Sequence, residues 1–370
     1  MKVMTALFNP TGAVDRARAL QEAGASGVFT FEGPHDVFTP LVLASAVEGL
    51  DIMSNVAIAF PRNPIQLAHQ ANDLQLLSEG RFILGLGTQV RAQIEKRYGA
   101  EFDRPVERMK EMVGALRAIF ATWNDGERLD FRGEYHRHTL MTPTFVPGPN
   151  PYGPPPIYLG ALGPRLTRAT AEVADGLLVM PFGSKRFLHG TTLPAVRDGL
   201  AAAGRSEDDF EVVPEIIVSV APGAGSAASG PNVSGAGSAA SGPNVPGAGS
   251  AASGPNVSGA GSDDHASTRM LLAFYGSTPA YRPVLDAHGW GDLQPELNAM
   301  SKQGRWQEMA GLIDDEMLHT IAACGTPAEI AAHIRDRVDG VSDRICLYQP
   351  GPIGVEPLAE IVDSLTGGAR

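Results

Sequence analysis

Residues 55–89 read NVAIAFPRNPIQLAHQANDLQLLSEGRFILGLGTQ. Two short apolar runs, 55–60 and 82–86, flank a longer segment with a different rhythm. Each run is apolar at nearly every position, the pattern of a strand buried on both faces of a parallel sheet. Between them Leu67, Ala71, Leu74 and Leu77 recur three or four residues apart, which predicts a helix. Asn63-Pro64 supplies its start, a side-chain cap followed by proline at the first helical position, and Gly80 supplies its stop. The unit is strand, helix, strand.

The same alternation extends in both directions. Further strands are expected at 3–8, 27–32, 156–160, 177–182, 212–220 and 343–348. Pro105 opens another helix, with Met109, Met112, Val113, Leu116 and Phe120 on one face; its methionines read as core filling. Thr326-Pro-Ala-Glu329 is a capping box at the start of a late helix. A polar hairpin is expected at 129–136. Eight strand–helix units define either a (β/α)8 barrel or a doubly wound sheet. A dinucleotide-binding sheet wants GxGxxG directly after its first strand, where this chain has Phe8-Asn9-Pro10-Thr11. Gly85-Leu86-Gly87-Thr88-Gln89-Val90 is a near match, but it lies on the fourth strand and lacks the third glycine. The expected fold is therefore α/β, a (β/α)8 TIM barrel, with chemistry at the C-terminal ends of its strands.

Between Gly223 and Ser262 the sequence repeats GAGSAASGPNV-(S/P) three times and ends in a GAGS fragment. One valine and a few alanines per twelve residues cannot offset the entropy of ordering such a segment. It is read as a flexible insertion after the seventh strand, a passenger within a single barrel domain spanning residues 1–370. The chain as a whole has globular composition, 43% hydrophobic and 19% charged, with a net charge of −12. That acidity argues against nucleic acid and against an anionic membrane surface. No run of 18 apolar residues is present, so no membrane-spanning helix is expected. The Val3–Phe8 stretch is short for a signal-peptide core, which makes the cytoplasm the expected location. Cys324 and Cys346 have no metal-ligand spacing and read as small buried hydrophobes.

Among the mouth residues, Glu32 ends the second strand, with His35 and Asp36 just beyond. A carboxylate and an imidazole there could serve as acid and base. Asp36 reads better as the cap of the helix that Thr39-Pro40 begins. Gly160-Ala161-Leu162-Gly163 is a small-residue turn opening a helix, where backbone N–H groups and the helix dipole suit a phosphate. His136 and His138 share a strand face without a third ligand, so no metal is expected. No GxSxG, HExxH or P-loop occurs.

Three stretches together resemble the bacterial luciferase-like family of flavin- and deazaflavin-dependent oxidoreductases. They are residues 55–89, PPIYLGALGP (155–164) with AEVADGLLVMPF (171–182), and CGTPAEIAAHI (324–334). The helix ending LSEGRF before the strand ILGLGTQ is the most specific of them. The likeness is greatest to the branch that uses coenzyme F420, an 8-hydroxy-5-deazaflavin. The resemblance implies a barrel, often dimeric, with the ring at the C-terminal mouth. It implies a third-strand bulge, often with a non-prolyl cis peptide, near Asn55-Val56, and a fourth-strand Gly87-Thr88 pair beside the ring, with Gln89 added by its place at the barrel mouth. It implies that the turn from Gly160 to Gly163 approaches the cofactor tail; Met180 joins the cofactor-binding set by its place at the mouth end of the sixth strand. Two departures stand out. Many deazaflavin enzymes have Asp-His where this chain has Glu32-Gly33, leaving His35 as the replacement imidazole. Some carry a proton-donating Glu where this chain has Val90.

The expected activity is hydride transfer between F420 and a small organic substrate, with Glu32 and His35 as catalytic residues and FMN as the alternative cofactor. FMN would permit monooxygenation instead. The departures also leave room for a barrel that binds a cofactor without turnover. A homodimer pairing through helices 64–79 and 105–122 is expected.

Overall fold

Strand β1 (Lys2–Ala6) pairs in parallel with β2 (Gly27–Thr30), and β2 with β3 (Asp51–Ser54). The order continues through β4 (Phe82–Gly87), β5 (Ile157–Ala161), β6 (Gly176–Val179) and β7 (Glu211–Val220) to β8 (Arg344–Tyr348). Pairing of β7 with β8, and of β8 with β1, closes eight parallel strands on themselves. This is the expected TIM barrel. The computed structural model describes residues 1–220 and 265–367, so the 223–262 repeat lies outside the described residues.

Side chains alternate between two cores, as period-two strands require. Met4, Phe29, Met53, Ile83, Val213 and Ile217 fill the barrel interior. Val3, Val28, Ile52, Leu84, Ile216 and Ile345 face outward, under the surrounding helices. Helix Pro64–Leu77 begins as expected, with Asn63 Oδ1 accepting from the Ile65 N–H at 3.0 Å. Helix Pro105–Asp125 buries Met109, Met112, Val113, Leu116 and Phe120. In the capping box of helix Pro327–Val338, Thr326 and Glu329 bond each other reciprocally.

Two elements differ from expectation. The third strand occupies 51–54, four residues earlier than its apolar run suggests, and resumes only at Ala57–Ile58 beside β4. The peptide between, Asn55–Val56, is cis, and across it the chain leaves β2 while remaining paired with β4. The hairpin pairs Phe131–Arg132 with Arg137–His138, two residues later than expected. Its turn is set by Glu111 of helix Pro105–Asp125, whose carboxylate accepts from the backbone N–H groups of Glu134, Tyr135 and His136.

The N-terminal end of the barrel is closed by charge. Arg344 Nε donates to Glu211 Oε1 at 3.0 Å and Nη1 to Asp51 Oδ2 at 2.9 Å. The Tyr158 hydroxyl donates to the other oxygen of Glu211, and Lys2 pairs with Asp51 at 2.8 Å. These residues stand at or near the starts of β1, β3, β5, β7 and β8. That end reads as stability rather than chemistry.

Candidate functional site

A cavity of about 1060 Å³ opens at the C-terminal ends of the strands. Small-molecule sites usually occupy ~300–1,000 Å³, so there is room for a ring-sized cofactor and a small second ligand. All ten residues expected at a cofactor line it: Asn55 and Val56 after β3, Gly87, Thr88 and Gln89 ending β4, Gly160 to Gly163 ending β5, and Met180 after β6. Phe31, Leu178, Phe274 and Trp306 add apolar wall.

Glycine makes the wall between β4 and β5 flat. A Cβ on Gly87 would sit 2.4 Å from Val56 Cγ2, and one on Gly160 would sit 3.1 Å from Val56 Cγ1. Val56 therefore lies against bare backbone on both strands. Deeper in β4, a Cβ on Gly85 would meet the Ser54 carbonyl at 1.8 Å, so no other residue fits there. Helix Pro164–Val173 begins at the cavity wall, with Gly163 at its N-cap. Its free N–H groups suit an anion.

The rim is cationic. Arg91, Lys96, Arg97 and Lys302 line it, on a chain that carries twelve excess negative charges. Arg91 is paired with Glu95 at 2.7 Å, and Arg97 donates to the Gly33 carbonyl at 3.1 Å. A charged pocket whose sign opposes that of the whole molecule selects its ligand by charge.

Glu32 and His35 are not part of the cavity wall. Glu32 is buried, and Arg62 grips it with both guanidinium arms: Nη2 to Oε1 at 3.0 Å, Nη1 to Oε2 at 2.9 Å. Oε2 also accepts from the Ile58 N–H at 3.1 Å. The carboxylate thus ties the end of β2 to the chain just after the cis peptide. His35 is exposed on the loop beyond. The structure does not bring the two together as an acid–base pair. Asp36 caps its helix, accepting at Oδ1 from the N–H groups of Phe38 and Thr39. Among the described residues no cluster of His, Cys, Asp or Glu could hold a metal.

Sequence reasoning missed Glu215. It lies midway along β7 between the inward-facing Val213 and Ile217, lines the cavity and is only 6% exposed. Asn55 Nδ2 donates to its Oε2 at 3.2 Å, and Oε1 has no partner. Burial pushes its carboxyl up to about 8. The signal was present in VVPEIIVSV, where a single charged residue interrupts an otherwise apolar inner strand.

The model of the luciferase-like monooxygenase family matches residues 2–231 and 233–344, and the chain belongs to that family. An uncharacterized protein of Mycobacterium tuberculosis is 44% identical over 334 residues, covering 90% of this chain and 88% of the relative. An F420-dependent glucose-6-phosphate dehydrogenase of Nakamurella multipartita is 30% identical over 224 residues, 57% of this chain and 64% of the relative. Among solved structures, a coenzyme F420 dependent tetrahydromethanopterin reductase from Methanopyrus kandleri superposes with a TM-score of 0.73. It covers 98% of this chain and 97% of its own at 16% identity, a likeness of fold. Among the described residues no helix is long and apolar enough to cross a membrane.

Proposed function

We propose that this protein is an F420-dependent oxidoreductase acting on a small organic substrate at the mouth of its barrel. The observation that carries the reading is the cavity itself: apolar and flat-walled where a fused ring would lie, cationic and helix-capped where an anionic tail would leave. The bound deazaflavin would supply the chemistry, accepting or giving a hydride at its C5 position.

The chain's own residues orient and shield. Val56, set against Gly87 and Gly160, offers one face of a ring a smooth apolar support. Phe31, Phe274 and Trp306 exclude water from the space beside it, and a drier site strengthens every polar contact within it. The Gly163 helix start, Arg91, Lys96 and Arg97 favour an anionic group leaving toward β4 and β5. Glu32 and Arg62 act at one remove, fixing the backbone that presents Asn55 and Val56.

The family's description as monooxygenases favours a second reading, with FMN as cofactor. Titrating the pure protein with each cofactor by fluorescence and equilibrium dialysis decides between them. F420 binding with weaker FMN binding is expected. Tight FMN binding without F420 binding would replace the first reading by the second, and cofactor binding without turnover on any substrate panel would leave a non-catalytic barrel.

A further inference from the structure

Glu215 is a carboxyl without a cation. Nothing positively charged pairs with it among the described residues. Its Oε2 is held by the Asn55 amide and its Oε1 is buried with no hydrogen-bond partner among the described residues, while the residue itself lines the cavity. A buried carboxyl with a single protein partner, beside a cavity and without a cation, is a group that a bound ligand can satisfy. The Asn55 amide fixes the orientation of the carboxyl. Asn55 Nδ2 donates to Oε2, and the neutral acid keeps one O–H of its own to donate.

We propose that Glu215 binds the cofactor as a neutral acid, its carboxyl donating a hydrogen bond to an acceptor atom of the heterocycle while Asn55 braces it. The proposal rests on the reading that a deazaflavin or flavin ring occupies this cavity. It gives Asn55, the residue before the cis peptide, a positioning part: it orients the acid that meets the ring.

The surroundings leave Glu215 as the group that titrates. Tyr348 and Cys346 from β8 and Tyr275 from helix Ala266–Gly276 face it, and burial raises all three, so they stay neutral where Glu215 ionises. Arg337 borders a small cleft on the same side, but its Nη2 is engaged by the carbonyls of Thr320 and Ile321 and by His333, a histidine that burial keeps neutral. With the carboxyl up at about 8, the acid is neutral at pH 6.5 and ionised at pH 9.5.

The experiment has two arms on the full chain. In the first, infrared difference spectra of the cofactor-free protein follow the carbonyl stretch of a protonated carboxyl. The band should fade as pH rises through about 8 and be missing from Glu215→Gln; a band identical in both proteins, or none in either, overturns the proton. In the second, F420 and FMN dissociation constants are measured from pH 6.5 to 9.5 for the native protein, Glu215→Gln and Glu215→Leu. The native constant should rise relative to that of Glu215→Gln by about tenfold per unit above pH 8, because the amide still donates at every pH. The ligand's own ionisations affect both proteins alike and cancel in the ratio. Glu215→Leu, checked for native circular dichroism, should bind tenfold or more weakly at pH 6.5. A ratio that does not change with pH overturns the donation. Failure of the native protein to bind either cofactor at pH 6.5 overturns the functional reading beneath it, a result distinguishable from the flat ratio.

Discussion

At the scale of single residues, Glu32 and Glu215 contrast in what surrounds them. Glu32 was expected to act on substrate because it ends a strand at the mouth. Its bidentate grip by Arg62 and its bond from Ile58 instead make it a brace for the cis-peptide segment. Breaking one side of a largely buried ion pair strands the other charge. Glu32→Gln should therefore lower unfolding free energy by about 2 kcal/mol in urea melts, since Arg62 keeps an amide oxygen but loses a charge. Its effect on turnover should follow cofactor affinity rather than the pH profile. Glu215 shows the opposite behaviour. Its folded carboxyl lies near 8, above the unfolded range of about 4.3, so the native state holds the extra proton between those values. The stability this proton confers is fully present below about pH 4.3 and is lost as pH rises to 8, at roughly 1.4 kcal/mol per unit. Urea melts of the native protein and Glu215→Gln should diverge by that slope between pH 5 and 8 and run parallel above it. Parallel curves throughout would mean that the carboxyl is already ionised at pH 5.

At the scale of elements, what the sequence revealed and what it hid follow from how local each signal is. Asn63-Pro64 declares a helix start within four residues, because the cap bonds an N–H two positions on. Asn63→Ala should cost about 1 kcal/mol, read as a fall in melting temperature without change in the cavity. The capping box at Thr326 was equally legible. The third strand was not, because its register is set by partners far away in sequence: Thr30 pairs with Ser54, while Leu86 pairs with Ala57. Apolar character over 55–60 records burial, and the broken segment is as buried as a strand would be. The cavity wall was legible through the barrel-mouth rule and the family resemblance, and its Gly87 and Gly160 stand where a Cβ would meet Val56. Glu215 was hidden because one acid in an apolar run reveals its role only when Asn55, 160 residues away, is brought beside it.

At the scale of the molecule, the barrel leaves unequal faces for association. Helix Pro105–Asp125, one of the two expected to pair, turns its apolar residues into the core. Helix Pro64–Leu77 leaves Leu76 and Leu77 49% and 53% exposed, and helix Thr39–Ala44 exposes Val42 and Leu43 nearby in the chain order. Contiguous exposed apolar side chains are a feature of interaction surfaces, and we propose that this face pairs two copies of the chain. A homodimer through this early-helix face should scatter light at twice the chain mass, and Leu76→Glu with Leu77→Glu should halve that value; a monomer at micromolar concentration would refute the pairing. The two ends of the barrel are unequal as well. Arg344, Glu211 and Asp51 close one of them, and among the described residues the cavity opens at the other. Of any two ligands that share such a room, the one lodged deeper must arrive first and depart last. Turnover would then follow a compulsory order, and product-inhibition patterns would show which partner waits at the threshold while the other is already inside.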